Sequence, residues 1–296
     1  MTLTAGPTTG VPAWTLAVAA MLSVQLGSAL SVDLIATAGP AGTAWLRLTI
    51  GAVIFVAIAR PPLRSIRRRD LPVLLALGVN TGIQTVAFLA AIERIPLGTC
   101  VAVEFLGPLT IAAVLTRHVR ALTWPAVALI GVVLLTEPWH AGVDIAGIGY
   151  AALAAVGWAG YIVLTQHVGD RFDGLSGLSL TVPVAAATAA VIGIPEAAGH
   201  LTFATLVAAA GLALLLPVLP YAFELLALRR LTTAAFGTLM AVEPAIGLLL
   251  GLMVLHQRPS IVQVLGIMLV VLAGAAAQRG GARSQPTAPI VAPSNG

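Results

Sequence analysis

Ten apolar stretches, at 14–36, 42–59, 71–91, 98–116, 122–136, 146–166, 176–194, 203–227, 234–254 and 260–277, fill this chain almost from end to end. A helix needs about 20 apolar residues to cross the hydrocarbon core of a bilayer. Every backbone N–H and C=O in lipid must be satisfied within the protein, and a continuous helix does this. The pattern predicts an all-α integral membrane protein with ten transmembrane helices. Composition agrees: 59% of residues are hydrophobic and only 9% charged, outside the soluble globular range. The fifth stretch is short, and Trp124 and Pro125 mark its start. The first lacks a basic flank and is too long for a secretory signal, so it reads as an uncleaved first helix. Connections of a few residues leave no room for a water-soluble domain. Gly, Pro, Ser and Ala dominate 278–296, which reads as a disordered cytoplasmic tail.

The charges orient the bundle. The chain has no lysine, so its 15 basic residues are all arginines. With the N-terminus inside, Arg60, Arg64, Arg67, Arg68, Arg69, Arg117, Arg120, Arg171, Arg229, Arg230, Arg279 and Arg283 fall on the cytoplasmic side. Only Arg94 and Arg258 fall outside, and Arg47 lies within a span. This imbalance obeys the positive-inside rule and puts both termini in the cytoplasm. The net charge of +4 is therefore topology signal, and no nucleic-acid partner is expected. Membrane lipid is the one partner the arginine cluster at 64–69 implies. Cys100, the one cysteine, cannot form an internal disulfide.

The chain also repeats itself. Ala91-Ile-Glu-Arg-Ile95 aligns with Ala227-Leu-Arg-Arg-Leu231 at an offset of 136 residues, which carries Pro108 onto Pro244. One residue's slip later, Gly131 falls on Gly266. Five spans per half is an odd number, so the second copy enters the membrane from the opposite side. The expectation is two inverted five-helix repeats, 14–136 and 146–277, the usual build of secondary carriers.

Few polar side chains remain at membrane depth. Glu104 and Glu243 lie deep in the fourth and ninth stretches. A carboxylate at the bilayer centre costs about 2.5–3.5 kcal/mol on insertion scales, so these residues should face the bundle interior or a watery cavity. There a glutamate can exchange a proton as access alternates, which a proton-coupled carrier needs. Each sits beside an expected helix break. Pro108 leaves the carbonyl of Glu104 without its helical donor, and Pro244 does the same to Met240. Gly107 and Gly237 loosen the same regions. The structural alternative is a protonated glutamate bonded to a neighbouring helix. Glu224, about one turn from Arg229, reads equally as a site residue or a snorkelling end residue.

Asp33 and Arg47 stand at similar depth across a short outer turn. They read as an ion pair, an outer gate or a site for a substrate carboxylate. Gln25 is mid-span in the first helix, and Asn80 and Gln84 share a face of the third. Helix–helix hydrogen bonds explain these as well as ligand contacts do. Trp158 and Tyr161 share a face of the sixth helix and are candidate cavity residues, whereas Trp14, Trp45, Trp124 and Trp139 fall at span ends, as an interfacial belt would. Gly247-x-x-x-Gly251 reads as close helix packing.

Familiar catalytic chemistry is missing. No H-E-x-x-H pairs the histidines, a P-loop is impossible without lysine, no G-x-S-x-G elbow occurs and no aspartate pair lies in the spans. No enzyme activity, cofactor or metal is expected.

The stretch Ile95-Pro-Leu-Gly-Thr-Cys-Val-Ala-Val-Glu-Phe-Leu-Gly-Pro108 resembles a known family, as do Leu219-Pro-Tyr-Ala-Phe-Glu-Leu-Leu-Ala-Leu228 and Phe236-Gly-Thr-Leu-Met-Ala-Val-Glu-Pro244. Gly42 with Leu46-Arg47-Leu48 and Gln263-x-x-Gly266 extend the likeness. The family is the EamA-type transporters of the drug/metabolite transporter superfamily, and within it the threonine/homoserine exporter type. The resemblance implies a ten-span inverted repeat and proton-driven efflux across a bacterial inner membrane. It implies roles for Glu104, Glu243 and Glu224 as the family's acidic positions, and for Arg47 as its second-helix arginine. Two departures change the charge of the outer mouth. Leu255-His256-Gln257 stands where such exporters often read Gly-Glu, and Val32-Asp33 where they tend to carry a lysine.

The expectation is a secondary carrier, monomer or homodimer, exporting small amino acids or related metabolites by proton antiport. Its partners are a small-molecule substrate, protons and lipid. The alternatives are an efflux carrier for lipophilic cations and a membrane-embedded enzyme acting on lipid or peptide.

Overall fold

A computed structural model describes residues 12–60, 66–116, 122–139, 143–169, 172, 174–228, 231, 236 and 239–280. Among the described residues there is helix and no strand. The helices are α1 (Ala13–Ala38), α2 (Pro40–Ala59), α3 (Leu71–Ile92), α4 (Leu97–Thr116), α5 (Thr123–Thr136), α6 (Ile145–Gly169) and α7 (Gly174–Ala197). They continue with α8 (Phe203–Ala213), a π turn (Leu214–Val218), α9 (Leu219–Leu228), α10 (Glu243–Met253) and α11 (Ile261–Gly280). Seven helices are long and apolar enough to cross a membrane, counting Phe203–Glu224 as one, and Thr123–Thr136, Glu243–Met253 and Ile261–Ala277 are shorter apolar helices. Large apolar side chains such as Val53, Val156, Val191 and Phe203 face outward. A surface of that kind suits lipid.

The eighth stretch differs from its expected single helix. It breaks at Leu216, whose φ of −157° and ψ of 109° are not helical. Pro217 offers no N–H to continue the ladder. Glycines on two neighbours admit the break. Gly27 of α1 meets Leu215 and Leu216, and Gly51 of α2 meets Pro217.

The closest packing joins the first five helices to the later ones. α2 lies on α7, α3 on α6 and α7, α4 on α6, and α5 on α11. Small residues allow this. A Cβ at Gly131 would come within 2.6 Å of the carbonyl oxygen of Gly266, and a Cβ at Gly266 within 2.6 Å of that of Gly131. Backbone thus meets backbone where α5 crosses α11. The main core runs through this interface, with Leu89, Leu97, Val101, Leu135, Ala151, Ala185, Ile267 and Val270 all buried. Gly247 meets Val101, and Gly251 meets the Gln257 side chain. That motif is internal packing.

One end of the bundle carries polar ties between early and late helices. Gly39, at φ 74°, is the whole connection between α1 and α2. A left-handed backbone there favours glycine, and a side chain would also collide with Glu196 at the end of α7. The Glu196 carboxylate accepts from the backbone N–H of Ala41 at 2.8 Å and of Gly42 at 3.1 Å. It satisfies free donors of the α2 N-terminus and sits at the positive end of that helix's dipole. Gln257 Oε1 accepts from the Leu97 N–H at 3.1 Å, capping α4 in the same way. At this end too, Ser260 Oγ donates to Glu137 at 2.9 Å and Arg94 pairs with Asp144 at 3.6 Å.

Candidate functional site

A cavity of about 590 Å³ lies between the early and late helices. Its walls bring together Gln25, Arg47, Gln84, Glu104, Trp158, Tyr161, Glu224 and Glu243, from seven separate helices. Polar groups at membrane depth have to be turned inward, and the sequence separations of these residues follow from helices meeting side by side.

Each deep glutamate is held by an amide from another helix. Gln84 Nε2 of α3 donates to Glu104 Oε1 of α4 at 3.1 Å. Gln25 Nε2 of α1 donates to Glu243 Oε1 of α10 at 3.1 Å. Both acids are buried, at 9% and 5% exposure. Glu104 lies one turn before Pro108, which is inside α4 as expected. Glu224 of α9 is half-buried. Near it the Tyr161 and Tyr221 hydroxyls lie 3.2 Å apart, and Tyr221 packs edge-on against Phe55. Trp158 meets Phe105 edge-on, with centroids 6.3 Å apart. One stretch of wall is therefore aromatic, and another carries charge.

Among the described residues Arg47 is the only basic one in the walls. Its side chain is 4% exposed. Nη1 donates to Ser31 Oγ at 3.4 Å, and Nε is buried without a partner among the described residues. Among the described residues it makes no ion pair. A guanidinium closed off from water and lacking a counter-charge is costly, so this group is poised for an anion.

Several expectations need correction. Asp33 and Arg47 do not pair. Asp33 is exposed and lines a second cavity of about 510 Å³ beside α8, while Arg47 points into the central one. α1 turns successive side chains by about 100°, so similar depth does not imply the same side. Pro244, by contrast, stands at a break as expected: helix reaches Met240, the chain turns at Ala241–Val242, and α10 starts afresh at Glu243 with Pro244 second, which offers no N–H to the Met240 carbonyl. Gly107 is a packing residue, because a Cβ would run into the backbone of Ala155 on α6. Gly237 lies outside the described residues. Asn80 is off the cavity wall and donates to the Gly157 carbonyl at 2.7 Å, a helix–helix bond.

Other wall residues escaped the sequence reading. Leu216, Pro217, Pro220 and Tyr221 project from the broken eighth segment. Two prolines three residues apart within one apolar stretch were the available signal. Glu196 had none, since its role depends on where α2 begins.

Residues 145–276 match the EamA-like transporter family. The threonine/homoserine exporter RhtA of Salmonella typhimurium (strain LT2) is 33% identical over 281 residues, covering 90% of this chain and 92% of the relative. The threonine/homoserine exporter RhtA of Escherichia coli (strain K12) is 33% identical over 276 residues, covering 89% and 91%. A crystal structure of a protein 19% identical superposes with a TM-score of 0.61, covering 90% of this chain and 97% of that one. It shares the fold.

Proposed function

The chain belongs to the EamA-like transporter family, a family of membrane carriers, and from that premise we propose that it exports small zwitterionic amino acids or related metabolites in exchange for protons. The observation that carries this reading is the pairing of opposite charges in one cavity. Arg47 makes no ion pair among the described residues, and Glu104 lines the same cavity. An amino acid supplies a carboxylate for the first and an ammonium for the second. Such charge-assisted bonds are the strong ones. The RhtA relatives, named for threonine and homoserine, support this substrate class.

Ten spans in two inverted repeats fit the helix pairs. Renumbering each span as its counterpart in the other half maps α2 on α7, α4 on α10 and α5 on α11 onto themselves. The repeat-equivalent Gly131 and Gly266 meet each other. With both termini inside a bacterial inner membrane, the ties at Glu196, Gln257 and Ser260 close the outer face. The cavity then runs from the midplane toward the cytoplasm, past Pro108, Tyr161 and Glu224. This is an inward-facing arrangement, and rocking of the halves would alternate access.

Three carboxyl groups and several aromatic rings in the walls also favour a second reading, efflux of lipophilic cations. Purified protein in liposomes with an internal pH dye separates the two. Proton movement driven by a gradient of one or a few amino acids, and lost in Glu104→Gln, is the expected result. A response to dye cations alone would replace the amino-acid reading, and silence to both would end the carrier reading.

A further inference from the structure

Two sealed acceptors in the central site have no donor. Gln25 Oε1 and Glu243 Oε2 are both closed to solvent, and neither has a hydrogen-bond partner among the described residues. They belong to side chains already joined through their other atoms, Gln25 Nε2–H to Glu243 Oε1 at 3.1 Å. The two residues are 2% and 5% exposed. An unmet acceptor in a sealed place is destabilising, and a carboxylate with a single donor is worse.

Glu104 differs in this respect. Gln84 holds one of its oxygens, and the other is not among the sealed, unmet atoms. Both acids line the cavity, but only Glu243 keeps a sealed oxygen without a donor.

A single hydrogen resolves the imbalance. A carboxylic acid and a primary amide each offer one carbonyl oxygen and one donor on adjacent atoms. Placed edge to edge, the amide N–H serves the acid carbonyl and the acid O–H serves the amide carbonyl. We propose that Gln25 and Glu243 form such a closed acid–amide pair and that it holds the transported proton, Gln25 being its positioning residue. The inference rests on the proton-coupled reading above and divides its labour: Glu104 meets the substrate ammonium, and Glu243 carries the proton.

The surroundings suit the assignment. Gly247 on α10 leaves the space beside Gln25 Oε1, where a Cβ would stand 3.5 Å away. The ionisable groups that share the cavity with Glu243 are Arg47 of α2, Glu104 of α4, Tyr161 of α6, and Tyr221 and Glu224 of α9. None of them is hydrogen-bonded to the pair. On release, the O–H bond of Glu243 breaks, the proton passes to water on the side then open, and the carboxylate keeps only the Gln25 N–H.

Infrared spectroscopy of purified protein tests this without any transport assay. A protonated-carboxyl C=O band is expected, lost in Glu243→Gln and retained in Glu104→Gln. In Gln25→Leu the band should move to higher wavenumber, because both of its hydrogen bonds are gone. Glu243→Gln places amide against amide, satisfies the same four atoms and should fold. If it does not, the Gln25→Leu shift decides alone. A band that survives Glu243→Gln, or that ignores Gln25→Leu, overturns the pair. A band behaving as expected in protein that moves no protons in liposomes upholds the pair and overturns the coupled-carrier reading.

Discussion

Arg47 separates structure from function at the scale of single residues. Burying a guanidinium without a counter-charge costs stability, so removing it should cost the fold nothing. Arg47→Gln is expected to leave the melting temperature unchanged or raised. Export should fall at least about tenfold, the equivalent of about 1.4 kcal/mol of binding. Parallel melting and flux measurements check both halves of that statement, and a large loss of stability would contradict it. Asp33→Asn, by contrast, breaks no ion pair and should change stability by less than about 0.5 kcal/mol. Much at this scale was legible in advance. Gln25, Gln84, Glu104, Trp158, Tyr161, Glu224 and Glu243 do meet in one cavity, because lipid forces polar groups inward. Which amide holds which acid was not legible. Gln25 and Glu243 are 218 residues apart, and only the packing of α1 against α10 brings them together. Asn80 shares a helix face with Gln84 yet bonds a backbone carbonyl, since residues four apart still point about 40° apart around the helix axis.

Helix ends and crossings govern behaviour one level up. Glu196 caps α2 from another helix, and losing a cap costs about 0.5–2 kcal/mol. In a protein that alternates between two states, the same loss also shifts the balance between them. Glu196→Ala should therefore raise the labelling rate of a cysteine placed at Thr43 from the outer face, severalfold, in membranes where Cys100 has been replaced. Unchanged labelling would mean that Glu196 does not hold the outer face shut. The helices themselves followed from hydropathy, whose stretches match the observed bounds closely from α1 to α4. The interruption before Pro244 followed from the proline, but the break at Leu216 did not. Prolines announce that a helix is interrupted, but whether one ends, kinks or begins a helix depends on its neighbours. Pro108 is carried within α4 and Pro244 opens α10.

Across the whole molecule, the charge asymmetry of the loops is the feature that reaches furthest. The arginine distribution predicts that a cysteine at Arg68 reacts with an impermeant reagent only from the cytoplasm, and one at Trp139 only from outside. The opposite pattern would invert the bundle and with it the meaning of efflux. Nothing in composition told how the two sets of helices interleave. That depends on small residues placed where helices cross, and a glycine in a Leu/Ala/Val-rich stretch carries no mark of the partner it will meet.

The crossing of α5 and α11 has a genetic consequence. Gly131 and Gly266 each confront the other's carbonyl oxygen, and an oxygen of the main chain cannot be mutated away. A substitution at one glycine therefore has no suppressor at the other. In a saturation screen both positions should stand empty of tolerated alleles, and second-site revertants should map to Leu135, Leu269 and Val270, the side chains that could shrink to let the helices part.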